Sequence, residues 1–232
     1  SLVVIAVPTE IHEKIFYEVL KYSFVKVIVC EKPIAKKYIL AKKMVNNAKK
    51  KKKILIINYF RNFEPGYLEI YKIFKKNSLK NSIDIKILYN RGLYNNASHY
   101  LDLILKFMGK VLKIKVYKNE GFWNLSDPEP NFKIYFKNGF AEFKYRKNIK
   151  YCKMKIKSKY ISVDYLNNGK NIKVIDNKIK KNIKSYFNFY QKYVYENIYN
   201  YLKNKTKISV NTISSVKLLK YLNYVENKIY EK

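Results

Sequence analysis

The feature that most constrains the fold is an alternation of short apolar runs and helical stretches near the amino terminus. Residues 2–7, 25–30 and 54–57 are continuous apolar runs rich in β-branched side chains, which is typical of parallel strands covered on both faces. Between them, residues 10–22 and 34–48 carry apolar side chains at near-helical spacing. This strand–helix–strand–helix–strand order predicts a parallel sheet with right-handed crossovers, which is half of a doubly wound domain.

The second part of the chain has the period-two pattern of antiparallel strands. After a helix expected over about residues 66–75, stretches such as "VLKIKVYK", "NFKIYFKN" and "FAEFKYR" alternate apolar and polar residues. Asn138-Gly139 and residues 167–169 are turn signals between them. Two amphipathic helices, roughly 184–204 and 212–230, close the chain. We therefore expect a partial Rossmann-type parallel α/β part followed by an α+β part with a mainly antiparallel sheet.

Composition excludes several classes of protein. The chain has no apolar span long enough to cross a bilayer and no signal-peptide pattern. Its two cysteines, Cys30 and Cys152, are far apart, which argues for a reducing, cytoplasmic compartment and against a structural metal site. The net charge of +32 would suit a polyanion. However, only three of the 49 basic residues are arginine and the lysines are spread along the chain, so codon bias is favoured over nucleic-acid binding, which stays an alternative.

The polar residues that follow the first two predicted strands are candidates for a binding site, because ligands of open parallel sheets bind at the carboxyl ends of the strands. Pro8, Thr9 and His12 follow the first strand, and Glu31-Lys32-Pro33 follows the second. An ammonium group at that edge could stabilise negative charge on a substrate oxygen. The tripeptide alone fits a capped turn with an exposed ion pair equally well.

His99 is a candidate general acid/base. It lies in the first turn of a predicted short helix, with Asn95 four residues upstream and Asp102 three residues downstream. A histidine can exchange protons near neutral pH. A histidine that is hydrogen-bonded in the core is the commoner explanation for such a position, and the local sequence does not decide between the two.

Four segments, taken together and in order, carry a resemblance to a known family. They are "VVIAVPTEIHEKIFYEVL", "VIVCEKPIA", "NYFRNFEPGYLE" and "HYLDLILKFMG". This series resembles the Gfo/Idh/MocA family of nicotinamide-dependent oxidoreductases, the relatives of glucose–fructose oxidoreductase and inositol dehydrogenase. The resemblance extends from about residue 2 to about residue 228. It implies that residues 1–62 are the C-terminal half of a dinucleotide-binding Rossmann domain and residues 63–232 a substrate-binding and oligomerisation domain.

The resemblance also implies roles for individual residues. NAD or NADP would be contacted by Pro8, Thr9, His12, Glu31, Lys32 and Pro33, with a cis peptide before Pro33. The substrate would be contacted by Lys32, Tyr59, Arg61, Asn95 and His99. Among these, His99 would be the acid/base, Lys32 would polarise the reacting oxygen and Asn95 would assist His99. No metal is implied.

Two departures from the family pattern bear on activity. Many members carry Asp four residues before the histidine, where this chain has Asn95. An amide can orient an imidazole but supplies no negative charge, and it would therefore raise the pKa of the histidine less than a carboxylate. The glycine-rich phosphate turn is also absent from the 232 residues. We expect that turn to lie upstream of Ser1 in a longer protein, and these residues alone to bind the cofactor weakly.

The first interpretation is therefore a fragment of an NAD(P)-dependent dehydrogenase. It would interconvert an alcohol and a ketone on a sugar, sugar nucleotide or polyol, in surface-polysaccharide or other sugar biosynthesis. The first alternative is a non-catalytic relative that binds a sugar or a partner, and the second is a polyanion-binding protein. The resemblance further implies a homo-oligomer formed through the antiparallel sheet.

Overall fold

The computed structural model describes residues 1–77, 82–177, 179–204 and 206–231. In chain order, the helices are α1 His12–Leu20, α2 Tyr38–Lys50, α3 Pro65–Asn77, α4 Ser98–Met108, α5 Lys192–Leu202 and α6 Thr212–Tyr230. The strands are β1 Leu2–Ile5, β2 Val27–Cys30, β3 Ile54–Ile57, β4 Ile83–Tyr89, β5 Val111–Trp123, β6 Asp127–Phe136, β7 Gly139–Tyr145, β8 Lys153–Lys157, β9 Ile161–Leu166, β10 Asn171–Asp176 and β11 Ile179–Ile183.

The chain forms two compact units, and the first contains residues 1–60 and 191–223. Its sheet is β1-β2-β3, and both strand pairs are parallel. The predicted parallel sheet is therefore confirmed. Every residue of β2 is buried, as expected for a central strand covered on both faces. The register aligns Ile5 with Cys30 and Cys30 with Ile57, so that the three carboxyl ends lie at the same edge.

The second unit contains residues 61–190 and 224–232 and holds an eight-stranded sheet in the order β11-β10-β9-β8-β4-β7-β6-β5. All neighbouring strands are antiparallel except β4 and β7. Strand β4 alternates regularly, with Ile83, Ile85, Ile87 and Tyr89 fully buried. The predicted fold class, a parallel α/β part followed by a mainly antiparallel α+β part, is confirmed. The exact domain limits at 62 and 63 stay a prediction.

Two helix boundaries differ from the sequence prediction. Helix α2 begins at Tyr38, although Pro33 was expected in its first turn. The carbonyl groups of Pro33 and Ile34 face the ring of His12 and not helical amides, which explains the later start. The helix predicted from residue 184 begins at Lys192. The chain before it stays in the sheet as far as Ile183 and then makes a 3₁₀ turn, Phe187–Phe189.

Candidate active site

One group of candidate residues lies in the first unit, at the edge of the parallel sheet where the strands end. Beyond the strands, Glu31 N–H donates to Ile5 O at 2.9 Å and Asn58 N–H donates to Cys30 O at 2.8 Å. The backbone ladder thus continues one residue past β2 and β3. It delivers the side chains of Glu31 and Asn58 to the same edge of the first unit, which is where a ligand of a parallel sheet binds.

Asn58 holds the carboxylate of Glu31. Its Nδ2 donates to Glu31 Oε1 at 2.5 Å and to Gln191 Oε1 at 3.2 Å. Asn58 is only 3% exposed, and its Oδ1 is buried without a hydrogen-bond partner among the described residues. Sequence reasoning missed Asn58. The signal was present, because a polar residue follows β3 just as Glu31 follows β2.

His12 ties together the two loops that follow β1 and β2. Its Nε2 lies 2.8 Å from Val7 O, and its Nδ1 lies 3.0 Å from Pro33 O and 3.3 Å from Ile34 O. The ring is 1% exposed. The contact between His12 and the cofactor stays a prediction, and the structure adds that the polar atoms of the ring face backbone carbonyl groups.

The two loops that His12 holds contain the other residues predicted to contact the cofactor. The Lys32–Pro33 peptide is cis, as the resemblance implied, and Lys32 is half-buried. Thr9 begins a 3₁₀ turn in which Pro8 O accepts from Ile11 N–H at 3.0 Å. The first unit therefore brings together all six residues predicted to contact the cofactor. Tyr59, predicted to contact substrate, is also in this unit and is 2% exposed.

A separate group of candidate residues lies in the second unit, around the start of α4. A π-helical segment, Gly92–Ala97, leads directly into α4. Asn95 is half-buried in this segment, and His99 is 4% exposed in the first turn of α4. Tyr67 Oη donates to His99 O at 2.5 Å, and Ser98 Oγ donates to Tyr94 O at 2.6 Å. These two bonds hold the backbone on either side of the junction.

One turn beyond His99, Asp102 is a buried carboxyl group with 2% exposure. Burial raises its pKa from 3.8 to about 6, and the nearby Lys106 cation and Asn62 amide offset part of that rise. Desolvation penalises the charged form of a carboxyl group, which explains the direction. The second unit therefore holds a group that can exchange a proton near neutral pH on the same helix as His99.

Arg61 is buried among aromatic rings in the second unit. Its guanidinium carbon lies 5.5 Å from the ring centroid of Tyr100 and 5.2 Å from that of Phe187. Both contacts are in the range of cation–π attraction. The structure thus places Arg61 against a residue of α4, adjacent in sequence to His99. Its predicted contact with substrate stays a prediction.

The residues that the structure describes contain no cluster of metal-ligating side chains and no helix that could span a membrane. No group of three or more His, Cys, Asp or Glu side chains that could hold a metal ion is present in those residues. Among the helices that the structure describes, none has the length and apolar character needed to cross a membrane.

Comparison with known proteins gives a family-model match over the first part of the chain. Residues 1–59 match the family model GFO_IDH_MocA, described as "Oxidoreductase family, NAD-binding Rossmann fold". The resemblance to the Gfo/Idh/MocA oxidoreductases is confirmed. No curated protein sequence matches the chain.

Solved structures of oxidoreductases share the fold over nearly the whole chain. An oxidoreductase from Thermotoga maritima has a TM-score of 0.80 at 14% identity, covering 98% of this chain and 76% of that one. UDP-N-acetylglucosamine 3-dehydrogenase GnnA from Acidithiobacillus ferrooxidans has a TM-score of 0.79 at 12% identity, covering 97% and 76%. An NAD binding oxidoreductase from Klebsiella pneumoniae has a TM-score of 0.78 at 11% identity, covering 99% and 78%. At these identities the likeness shows the fold.

The family model that matches residues 1–59 supports a nicotinamide cofactor, and the edge of the parallel sheet fits one. The unpartnered Oδ1 of buried Asn58 and the carboxylate of Glu31 are acceptors that suit the hydroxyl groups of a ribose. They lie at the carboxyl ends of parallel strands, as dinucleotide contacts do.

Proposed function

We propose that the protein is an NAD(P)-dependent dehydrogenase that interconverts a secondary alcohol and a ketone on a sugar, sugar nucleotide or polyol. The observation that carries the proposal is the Glu31-Lys32-Pro33 loop. It lies at the carboxyl ends of the parallel strands, inside the matched residues 1–59, and is held by Asn58 and His12. The fold shared with a UDP-N-acetylglucosamine 3-dehydrogenase supports the choice of substrate class.

Each candidate residue has a task in this reaction. When bound, the nicotinamide supplies hydride transfer, and the protein orients and polarises the reactants. Glu31 and Asn58 accept hydrogen bonds from ribose hydroxyl groups. The Lys32 ammonium donates to the reacting oxygen and stabilises the negative charge that develops there.

The proton in this reaction is assigned to His99. As an imidazole it takes the proton of the alcohol during oxidation, and as an imidazolium it returns that proton during reduction. The Asn95 amide orients the ring and, unlike a carboxylate, adds no negative charge beside it. Tyr59 and Arg61 are assigned to the substrate side.

The experiment that tests the proposal compares two lysines of one loop. The full-length gene product is incubated with NAD⁺ or NADP⁺ and a panel of sugars, sugar nucleotides and polyols, and formation of reduced nicotinamide is followed. Lys32→Ala should lower kcat by about 10²- to 10³-fold, the typical loss for one transition-state donor. Lys36→Ala is the matched control, because Lys36 is exposed and pairs with Glu10 at 2.8 Å. Equal activity of the two variants would contradict the role of Lys32.

We also propose that the protein is cytoplasmic and forms a homo-oligomer through the large sheet. A cross-strand row of side chains runs over one face of that sheet: Lys115, Lys133, Glu142, Lys86, Lys155, Asp164 and Lys173. Lysines outnumber acids in this row, so stacking two copies of this face would bring like charges together, and salt would weaken that repulsion. Sedimentation should show more oligomer at high salt, and a monomer at every salt concentration would contradict this assembly.

Cell fractionation that placed the protein outside the cytoplasm would contradict the proposed location.

A further inference from the structure

The segment before α4 has an unusual backbone. Arg91 has φ +59° and Gly92 has φ +88°, and the six residues that follow Arg91 are π-helical. Positive φ is uncommon outside glycine, and π-helical turns are rare and concentrate at functional sites. Such a conformation persists only where the surrounding structure holds it.

Two carboxylates of strand β6 stabilise this conformation by accepting hydrogen bonds from its backbone N–H groups. Asp127 accepts two hydrogen bonds, from Tyr94 N–H to Oδ1 at 2.9 Å and from Asn95 N–H to Oδ2 at 2.8 Å. Glu129 Oε1 accepts from Gly92 N–H at 3.2 Å. The carboxylates thus satisfy amide groups at the start of the helical run, which have no intrahelical acceptor. Negative charge is also favourable at that end of a helix.

The sheet fixes where these carboxylates lie. Asp127 is paired with Trp123 of β5 at the start of β6. The N–H of Glu129 donates to Asn119 Oδ1 at 3.0 Å, and Glu129 itself is 6% exposed. The β5–β6 hairpin therefore helps to set the position of the π-helical segment, together with the local bond from Ser98 Oγ to Tyr94 O.

Gly92 fits this contact closely. A Cβ atom at Gly92 would lie 2.0 Å from Asp127 Oδ2 and 2.3 Å from its Cγ, so any other residue there would push the carboxylate away from the backbone. By contrast, a Cβ at Gly121 of strand β5 would come no closer than 3.8 Å to another atom. Substitution of Gly92 should therefore displace the Asp127 carboxylate, whereas substitution of Gly121 should displace no neighbouring atom.

We propose that Asp127, supported by Glu129, is a positioning residue for Asn95 and His99. It acts through the backbone of the π-helical segment, which sets where Asn95 lies and where α4 places His99. This inference rests on the proposed function, in which His99 exchanges the substrate proton. Displacement of a reacting group by about 1 Å can cost about 100-fold in rate, so a loss of this hold should appear in turnover.

The experiment uses Asp127→Asn and Gly92→Ala, with Asp164→Asn and Gly121→Ala as controls. Asp164 is an acid of the same sheet that pairs with Lys155 at 3.4 Å. We expect Asp127→Asn and Gly92→Ala to lower kcat by about 10- to 100-fold. The KM for the nicotinamide cofactor should change less than about twofold, because its predicted contacts are in the first unit. The controls should leave both constants unchanged. Because a smaller folded fraction would also lower the apparent kcat at constant KM, kcat is normalised to the folded fraction of each variant measured by circular dichroism.

Nuclear magnetic resonance gives a second measurement that needs no substrate. The amide signals of Tyr94 and Asn95 and the ring signals of His99 should shift in Asp127→Asn and stay in place in Asp164→Asn. If Asp127→Asn does not fold, Glu129→Gln, which alters the longer 3.2 Å contact, should shift the same signals. It should also lower kcat by about two- to tenfold.

The outcomes separate this inference from the function on which it rests. If the wild-type protein turns over substrate and His99→Ala does not, but Asp127→Asn is fully active, the positioning role is wrong and the proposed function stands. If the wild-type protein shows no turnover with any substrate, the proposed function fails. In that case the NMR spectra alone test the positioning role of Asp127. Shifted ring signals of His99 in Asp127→Asn would support it, and unshifted signals would overturn it.

Discussion

The buried carboxyl group of Asp102 makes stability depend on pH in a way that can be calculated. Burial raises its pKa from 3.8 to about 6 in the folded protein. In the unfolded chain the group is hydrated and has an ordinary pKa. Between about pH 4 and pH 6 the folded state therefore keeps a proton that the unfolded state has released, and stability falls as pH rises through this interval.

The size of the effect follows from the two pKa values. The rise from 3.8 to about 6 is about two pKa units, and each unit corresponds to about 1.4 kcal/mol. Asp102 should therefore contribute about 3 kcal/mol at pH values below about 4, all of which is lost above about pH 6. Burial lowers the pKa of Lys106, and the nearby Asp102 carboxylate offsets part of that decrease.

The assay is urea unfolding across this interval for the wild type, Asp102→Asn and Asp84→Asn. Asparagine has nearly the shape of aspartate and does not ionise, so the free energy of unfolding of Asp102→Asn should gain about 3 kcal/mol relative to wild type between about pH 4 and pH 7. Asp84 is exposed on β4, and its variant should follow the wild type. Parallel curves for Asp102→Asn and wild type would refute the pKa of Asp102 and with it the proton-exchanging group beside His99.

Two further predictions concern buried side chains that hold backbone groups. His12→Ala removes the imidazole that bridges the loops after β1 and β2. It should lower the free energy of unfolding in urea by about 1–3 kcal/mol, and an unchanged unfolding midpoint would show that the ring does not hold the loops. Asn211 bonds both backbone groups of Ile57, at 3.0 and 2.7 Å. Asn211→Ala should cost about 2–4 kcal/mol. Asn211→Asp, which places a carboxylate oxygen against Ile57 O, should also be destabilising, and an unchanged free energy of unfolding in either variant would contradict the two-sided contact.

The parallel part of the fold and its ligand edge could be predicted from the sequence because their signals are local. Continuous β-branched runs identify buried parallel strands, and the residues that follow them must lie at one edge. Glu31 and Lys32 could be placed in this way. The same reasoning could have found Asn58, which holds Glu31.

The rest depends on contacts that are distant in sequence. Asp127 bonds amides 32 and 33 residues away, and no local pattern links "SDPEP" to "YNNASH". Likewise, the ring of His12 faces carbonyl groups 21 and 22 residues away, where helical spacing indicated only that His12 lies near the start of a helix. The start of α5 was misplaced because the chain between Ile183 and Lys192 makes a 3₁₀ turn, Phe187–Phe189, where the apolar spacing indicated an α-helix.

The most direct test of the central claim is the turnover of His99→Ala. The full-length gene product should reduce NAD⁺ or NADP⁺ with a sugar or sugar derivative. His99→Ala should lower kcat by about 10²- to 10⁴-fold while the KM for substrate changes little, because the lost proton transfer acts in the transition state. Turnover by His99→Ala equal to that of the wild type would contradict the assignment of the acid/base on which the account depends.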